Sequence, residues 1–488
     1  MTSTARQFNR WQAFALLAVA YFMTIVDFTI VNVSLPTIGR GLRLGTTGLQ
    51  WVVTAYGLAF GGLLLLGGRA ADLLGRRRIL MAGLALFTAA SLACGLATGD
   101  AFLVAGRAAQ GVGGALMLPA ALSIVMNMFG EGAERNKALG IWGGLGATAG
   151  TTGLLAGGLL TRYVGWQSIF LVNVPIGVLA LALAPRLVPD SRLETRRRRF
   201  DVLGAALGTG GLVALVDAIT QAPQYGWASP RTIGVLVTAG AALLAFLVVE
   251  RGSSDPLLPL SIFRVRTVAG ANVTGLLLGG SFYAFVFVGT LYMQLVLHYS
   301  AIQTGAAWAA ASVASMCLAG LSQWLVTRRG PALVMAIGMT LIGAGIIWAT
   351  QAPVHGRFLP NLAGPFVVAG AGTAFAFIPI SVAALAGVQQ SKAGLASGLL
   401  NTSQQLGGAI GVAIASSVAA GHTTALLHAG YTAPDALTEG YQHALWALGA
   451  IALLALPAIF TLVRRGQPIG EEVTAPVGEP QPALVAPH

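Results

Sequence analysis

Charge is what this sequence has least of. Asp, Glu, Lys and Arg make up 9% of its 488 residues, where a soluble globular domain carries about 25%. A chain so poor in charge cannot cover a watery surface, which excludes a soluble enzyme. Lysine is nearly missing: only Lys137 and Lys392 stand beside the arginines. Neither follows a glycine, so there is no phosphate-binding Walker loop, and ATP is not expected as the energy source. Cysteine occurs twice, as Cys94 and Cys317, each inside an apolar run. That placement excludes a disulfide framework and a cysteine-based metal site. His298, His355, His422, His428 and His443 fall in loops or at span ends without ligand spacing, so no metal and no other cofactor is expected.

Apolar residues dominate: 56% of the chain is hydrophobic, with a mean hydropathy of +0.76. The 65 glycines lie inside long apolar runs, where small residues let membrane helices approach one another. A span needs roughly 20 mostly apolar residues. That ruler predicts fourteen, at 12–34, 49–67, 79–98, 101–126, 138–160, 168–185, 202–220, 232–249, 268–294, 303–325, 332–350, 361–385, 397–420 and 442–463. The first apolar run carries no cleavage motif and reads as a retained helix. The expected fold class is an all-α membrane protein.

The net charge of +12 does not point to nucleic acid, because the arginines form short clusters between apolar stretches and no continuous basic face. They act as topology signals. With both termini cytoplasmic, 22 of the 28 Lys and Arg residues fall on the inner side and 5 outside, leaving Arg107 alone within a span. The expected organisation is a cytoplasmic N-terminus (1–11), a six-helix bundle (12–185), a basic linker (186–201), two extra helices (202–249), a second linker (250–267), a second six-helix bundle (268–463) and a disordered tail (464–488) rich in Pro, Glu and Gln. An internal echo joins the halves. Gly68 to Arg78 ends helix 2 with glycine, an acid and arginines, and Gly320 to Gly330 ends helix 10 with Arg328, Arg329 and Gly330. Pseudo-symmetric halves are the build of secondary transporters.

Within the spans only Asp27, Arg107 and Asp217 carry charge. A charge at mid-bilayer costs about 2.5–3.5 kcal/mol on insertion scales, so these residues are functional candidates. Asp27 lies about 10 Å and Arg107 about 9 Å from the outer face at 1.5 Å per residue. At one level, they can pair if helices 1 and 4 are neighbours. Asp27 then serves coupling or substrate binding, or is a static anchor. Asp217 sits near the outer end of helix 7, within reach of water. Helix 5 carries Gly143, Gly146, Ala147, Gly150, Gly153 and Gly157 at helical spacing, a smooth face for close packing. Helix 9 carries Phe282, Tyr283, Phe285, Phe287 and Tyr292, which either line a site for flat apolar ligands or pack against core and lipid.

Several segments resemble the major facilitator superfamily. Gly68-Arg-Ala-Ala-Asp72-Leu-Leu-Gly75-Arg76-Arg77-Arg78 is similar to that family's loop between helices 2 and 3, with Leu73 at an often basic position. Asp27-Phe-Thr29-Ile-Val-Asn32-Val-Ser-Leu-Pro36 resembles the start of its fourteen-helix drug:proton antiporter branch. Arg107-Ala-Ala-Gln110-Gly111-Val-Gly113 resembles that family's proton-coupling motif. Trp166 to Gly177 (with Phe170, Asn173 and Pro175), Glu250 through Pro256, Pro259 to Phe263 and Gly394 to Gly411 (with Ser397, Asn401, Gln405 and Gly407) are further likenesses.

The resemblance implies a rocker-switch fold of two six-helix bundles plus two additional central helices in the bacterial inner membrane. It implies export of hydrophobic or cationic compounds in exchange for protons, with Asp27, Arg107 and Gln110 in coupling or substrate binding and Asp217 next in line. Gly68, Asp72, Gly75 and Arg76 would gate the cytoplasmic side, Asp72 by facing a helix N-terminus of the other half, and Gly153, Gly157 and Gly158 of helix 5 would share in the conformational gating as a tight sliding interface. Helix 5 departs from the antiporter motif Gly-Pro-x-x-Gly-Gly: here it reads Gly153-Leu154-Leu-Ala-Gly157-Gly158. The missing proline leaves proton-coupled uptake as an alternative to export. A transporter-like sensor would carry a large soluble output domain, which this sequence lacks. The expected partners are a small-molecule substrate, protons and the bilayer, with the chain acting as a monomer.

Overall fold

A computed structural model of the chain describes residues 9–129, 133–189, 201–253, 256–258, 260–388 and 393–463. The basic cluster Arg192 to Arg199, Lys392 and the tail from Arg464 lie outside the described residues, as does Arg6. The helices run in order α1 (Arg10–Leu42), α2 (Thr46–Leu74), α3 (Arg76–Gly95), α4 (Asp100–Met128), α5 (Ala133–Tyr163), α6 (Ser168–Leu171), α7 (Asn173–Leu187), α8 (Val202–Tyr225), α9 (Pro230–Gly252), α10 (Arg266–Leu278), α11 (Ala284–Leu291), α12 (Ala301–Arg329), α13 (Pro331–Ala349), α14 (Ala363–Leu385), α15 (Ala393–His428), α16 (Ala433–Leu453) and α17 (Ala455–Leu462). No strand occurs among the described residues. Thirteen helical segments there are long and apolar enough to cross a membrane. α5, diluted by Gly and Thr, matches them in length at 31 residues without being among the thirteen.

Local chemistry sets the breaks. Asn9 caps α1 by accepting from the amides of Trp11 and Gln12. A single glycine separates α2 from α3, Gly75 at φ 102°, and another separates α12 from α13, Gly330 at φ 77°. Both occupy backbone that side chains strain to adopt, so the echo read from the sequence is also an echo of backbone. π-helical turns at Gly279–Tyr283 and Tyr292–Val296 interrupt the rod running from Arg266 to Val296. α16 begins nine residues before the predicted span. Thr432 caps it by accepting from the Asp435 amide, and its polar first turn is invisible to a ruler of apolar residues.

Polar side chains inside the bundle turn back on their own helices. Thr24 donates to the Ala20 carbonyl, Thr54 to Gln50, Thr88 to Leu84 and Thr274 to Gly270. Such bonds keep hydroxyls satisfied where no water reaches. Glycines bring the helices together. A Cβ on Gly67 of α2 would strike the Ala115 carbonyl of α4, and one on Gly83 of α3 would come within 2.7 Å of the Gly113 carbonyl. The last helices repeat this scheme: Gly370 of α14 meets Ala311 of α12, and Gly372 meets Ile342 of α13.

Contacts between the early and late helices follow two seams. Along one, Gly61 of α2 faces Thr402 and Gln405 of α15; along the other, Gly158 of α5 meets Ala301 and Ile302 of α12. Next to these, Gln294, at the end of the α11 rod, donates to the Val33 carbonyl of α1 at 2.7 Å. α8 and α9 pack on each other, and α8 lies over the first seam. It bonds α2 through Gln50 and Thr220 at 2.5 Å, whereas Leu212, Val216 and Ile219 share an apolar cluster with Leu406, Ala409, Ile410 and Ala413 of α15. Arg69, at the end of α2, donates to the Pro256 carbonyl in the segment after α9 at 2.9 Å.

Candidate functional site: a buried carboxylate held by three helices

Asp27 and Arg107 meet in the interior of the first helices, with both side chains fully buried. Arg107 Nη1 donates to Asp27 Oδ2 at 2.5 Å. The other carboxylate oxygen, Oδ1, accepts from Gln110 Nε2 at 3.0 Å and from Asn173 Nδ2 at 2.8 Å. The carboxylate of α1 is thus held by donors from α4 and from the first residue of α7. Arg107 also donates from Nε to the Val52 carbonyl of α2 at 3.0 Å and from Nη1 to Gln110 Oε1 at 2.9 Å. Its guanidinium carbon lies 4.3 Å from the centre of the Tyr56 ring, a cation–π contact strengthened by desolvation.

Gln110 is the pivot. Its Nε2 donates to Asp27 and to Ser91 Oγ of α3 at 2.7 Å, while its Oε1 faces Arg107 and the Cys94 thiol. Burying such charges costs several kcal/mol per ion unless pairing and hydrogen bonds compensate. Here every carboxylate oxygen is compensated, but Arg107 Nη2 has no hydrogen-bond partner. The arrangement is a neutralised ion pair inside the bundle.

Of the residues singled out from the sequence, Asp27, Arg107 and Gln110 come together. Asp217 does not. It is half-buried on α8 and accepts from Gln221 one turn along at 2.9 Å. Gly68 faces Pro119 of α4. Asp72, its side chain 52% exposed, pairs with the buried Arg76 at 3.3 Å across the Gly75 turn. The helix 5 glycines divide their work. Gly146, Gly153 and Gly157 press on Tyr21, Thr29 and Ile30 of α1, and Gly158 reaches Ala301 and Ile302 of the late helices. Gly150 has nothing within 4 Å, so the face is not uniformly packed.

The aromatics of helix 9 also divide. Tyr283 meets Phe28 of α1 edge-on at 5.4 Å, and Phe282 is half-buried beside it in sequence. Phe285 and Phe287 are sealed in the core, where Phe285 packs on Trp308 and Phe366. Tyr292 is buried and bonds the Pro353 carbonyl at 2.7 Å. Phe285 and Tyr292 thus serve packing among the late helices.

Reading charge alone missed Asn173, Ser91, Tyr56 and Cys94 as members of the cluster. Asn173 carried a signal, as an amide inside an otherwise apolar span. Among the described residues no group of His, Cys, Asp and Glu is arranged to hold a metal ion.

The chain is similar to known proteins over most of its length. The family model described as Major Facilitator Superfamily matches residues 17–412. The puromycin resistance protein pur8 of Streptomyces alboniger is 38% identical over 486 residues, 97% of this chain and 95% of that protein. The cephamycin export protein CmcT of Amycolatopsis lactamdurans is 35% identical over 480 residues, 97% of each. The multidrug resistance protein Stp of Mycobacterium tuberculosis is 36% identical over 431 residues, 88% of this chain and 80% of Stp. Among solved structures, an auto-inhibited peptide transporter of the POT family superposes with a TM-score of 0.67 at 14% identity, over 93% of this chain and 97% of that one. An inward-facing bacterial homologue of the lysosomal transporter Spinster does so with a TM-score of 0.63 at 16% identity, over 94% and 99%. At such identities the likeness is one of fold. A multi-pass bundle of apolar helices, a matching family model over most of its length and close relatives across the whole chain together make this protein a member of the Major Facilitator Superfamily.

Proposed function

We propose that the chain exports a hydrophobic or cationic drug-like compound, or an antibiotic or other secondary metabolite, across the cytoplasmic membrane in exchange for protons. The observation that carries this reading is the buried Asp27–Arg107 pair, in a chain whose relatives are named for puromycin resistance, cephamycin export and multidrug resistance. An ionisable residue in a membrane span is costly and is kept where it moves ions or substrate. Protonation of Asp27 from the outer side would release Arg107 and weaken the hold on substrate. Loss of that proton to the cytoplasm would restore the pair. Reciprocal coupling of proton and substrate is the thermodynamic content of the proposal.

In this reading α5 counts as the fourteenth span, the two groups of six helices flank α8 and α9 as the moving bundles, and both termini are cytoplasmic. The chain works as a monomer driven by the proton gradient, without ATP or cofactor. Gly68, Asp72, Gly75 and Arg76 would control closure of the inner side. Uptake rests on Leu154 alone, a buried residue whose carbonyl packs on Gly305. That packing favours neither direction, while the relatives' names favour export.

Dye efflux tests the proposal. Cells lacking their own pumps would be loaded with ethidium and compared with the same cells bearing Asp27→Asn or treated with a protonophore. Energy-dependent efflux lost in both comparisons supports proton-driven export. Efflux that survives Asp27→Asn removes Asp27 from coupling, and accumulation driven by an inward proton gradient would reverse the direction.

A further inference from the structure

Asn173 is the least restrained donor of the cluster. Gln110 is tied at both ends of its amide, to Asp27 and Ser91 through Nε2 and to Arg107 and Cys94 through Oε1. Arg107 is anchored to Val52, Gln110 and the Tyr56 ring. Asn173 gives a single bond, from Nδ2 to Asp27 Oδ1 at 2.8 Å, with its side chain buried. It also stands at a break. α6 ends at Leu171, and Asn173 opens α7 after the one-residue junction Val172. A small shift of α7 against α1 would withdraw this one donor, leaving Gln110 and Arg107 in place.

We infer that Asn173 is a positioning residue that guards the proton-accepting oxygen of Asp27, and that movement of α7 controls when Oδ1 can take a proton. This rests on the proposed role of Asp27 in coupling. A carboxylate oxygen that accepts two amide donors favours the charged form, and removing one donor shifts the balance towards the protonated form. The other titratable groups near this stretch of α1 are Arg107 of α4, Tyr56 of α2, Cys94 of α3 and Tyr283 at Phe28. α5 packs here through Gly153 and Gly157, and α6 and the first turn of α7 bring none.

The test is a pH titration of the purified full chain followed by infrared spectroscopy. The carbonyl band of a protonated carboxyl group is assigned to Asp27 by its loss in Asp27→Asn. Asn173→Leu keeps the size and removes the donor. Its protonation midpoint should move to higher pH by about one to two units, the worth of a hydrogen bond to a charged acceptor. Asn173→Asp, which places a second carboxylate beside the first, should move it further. Asn173→Ser retains a hydroxyl donor and should fall between wild type and Leu, and it serves if the Leu variant does not fold. Proton-driven ethidium efflux in proteoliposomes should follow the same order in its pH profile. Midpoints of Leu, Ser and Asp variants equal to wild type overturn the inference. A moved midpoint with pH-dependent efflux surviving in Asp27→Asn overturns the coupling reading instead, and leaves Asn173 as the guard of a carboxylate that does not couple.

Discussion

Arg107 Nη1 and Asp27 Oδ2 lie 2.5 Å apart with neither side chain reaching solvent, while Arg107 Nη2 has no partner at all. The pair is therefore held tightly on one side and incompletely on the other. Removing one member strands the other as a bare buried charge. Arg107→Leu alone should destabilise the protein by about 3–5 kcal/mol. Adding Asp27→Asn to it should recover much of that loss, because no charge is then stranded. Unfolding in detergent micelles, read as a double-mutant cycle, checks this. Simple additivity would mean that the two residues do not act as a pair.

Asp72 pairs with Arg76 where half of its side chain meets solvent. Exposed pairs contribute about 0–1 kcal/mol, so Asp72→Asn should leave the unfolding temperature near that of wild type. A fall in dye efflux with unchanged stability would assign the residue to conformational control. A large loss of stability would show instead that the pair holds the turn together.

Glycine substitutions should divide sharply by position. A Cβ on Gly407 or Gly411 of α15 would run into the carbonyl oxygens of Leu276 and Gly280, whereas Gly234 of α9 has nothing within 4 Å. Gly407→Ala and Gly411→Ala should each cost about 1–3 kcal/mol through forced backbone shifts. Gly234→Ala should be neutral or stabilising by up to about 1 kcal/mol, because alanine favours the helix. Parallel thermal scans of the three variants give the answer.

Asp217 lies apart from the cluster and, among the described residues, its carboxylate is bonded only to Gln221 on its own helix. Asp217→Asn should therefore leave the pH dependence of efflux where it is in wild type. A displaced pH profile in this variant would bring α8 into the coupling machinery.

Much of the architecture was legible because the bilayer imposes a simple rule. A long apolar run must become a helix, since no water is present to satisfy exposed backbone. Asp27 and Arg107 stood out for the same reason, and a depth estimate of 1.5 Å per residue set them at one level. Asn173 is inconspicuous in the sequence beside them, because neutral amides carry no charge to betray them, and its role emerges only when α7 lies against α1. The helix 9 aromatics were ambiguous for a different reason. Tyr283 and Phe285 are two residues apart on one rod, yet one meets α1 and the other the Trp308–Phe366 stack. At about 100° per residue they stand on opposite sides of the rod, and the sequence does not show which helices each side meets.

The attachment of α8 is uneven. Towards α2 the α8–α9 pair is fastened by hydrogen bonds at both ends, Gln50 to Thr220 and Arg69 to the Pro256 carbonyl, beside the apolar contacts of Trp51 and Leu58, and towards α15 it presents Leu212, Val216 and Ile219 in the same apolar cluster. A hydrogen bond broken in hydrocarbon finds no water to replace it, whereas apolar side chains can slip past one another with little change in buried area. The α2 side is a bolt and the α15 side a bearing. Any displacement between α2 and α15 would thus be taken up at the bearing, and the two middle helices would ride with those before them.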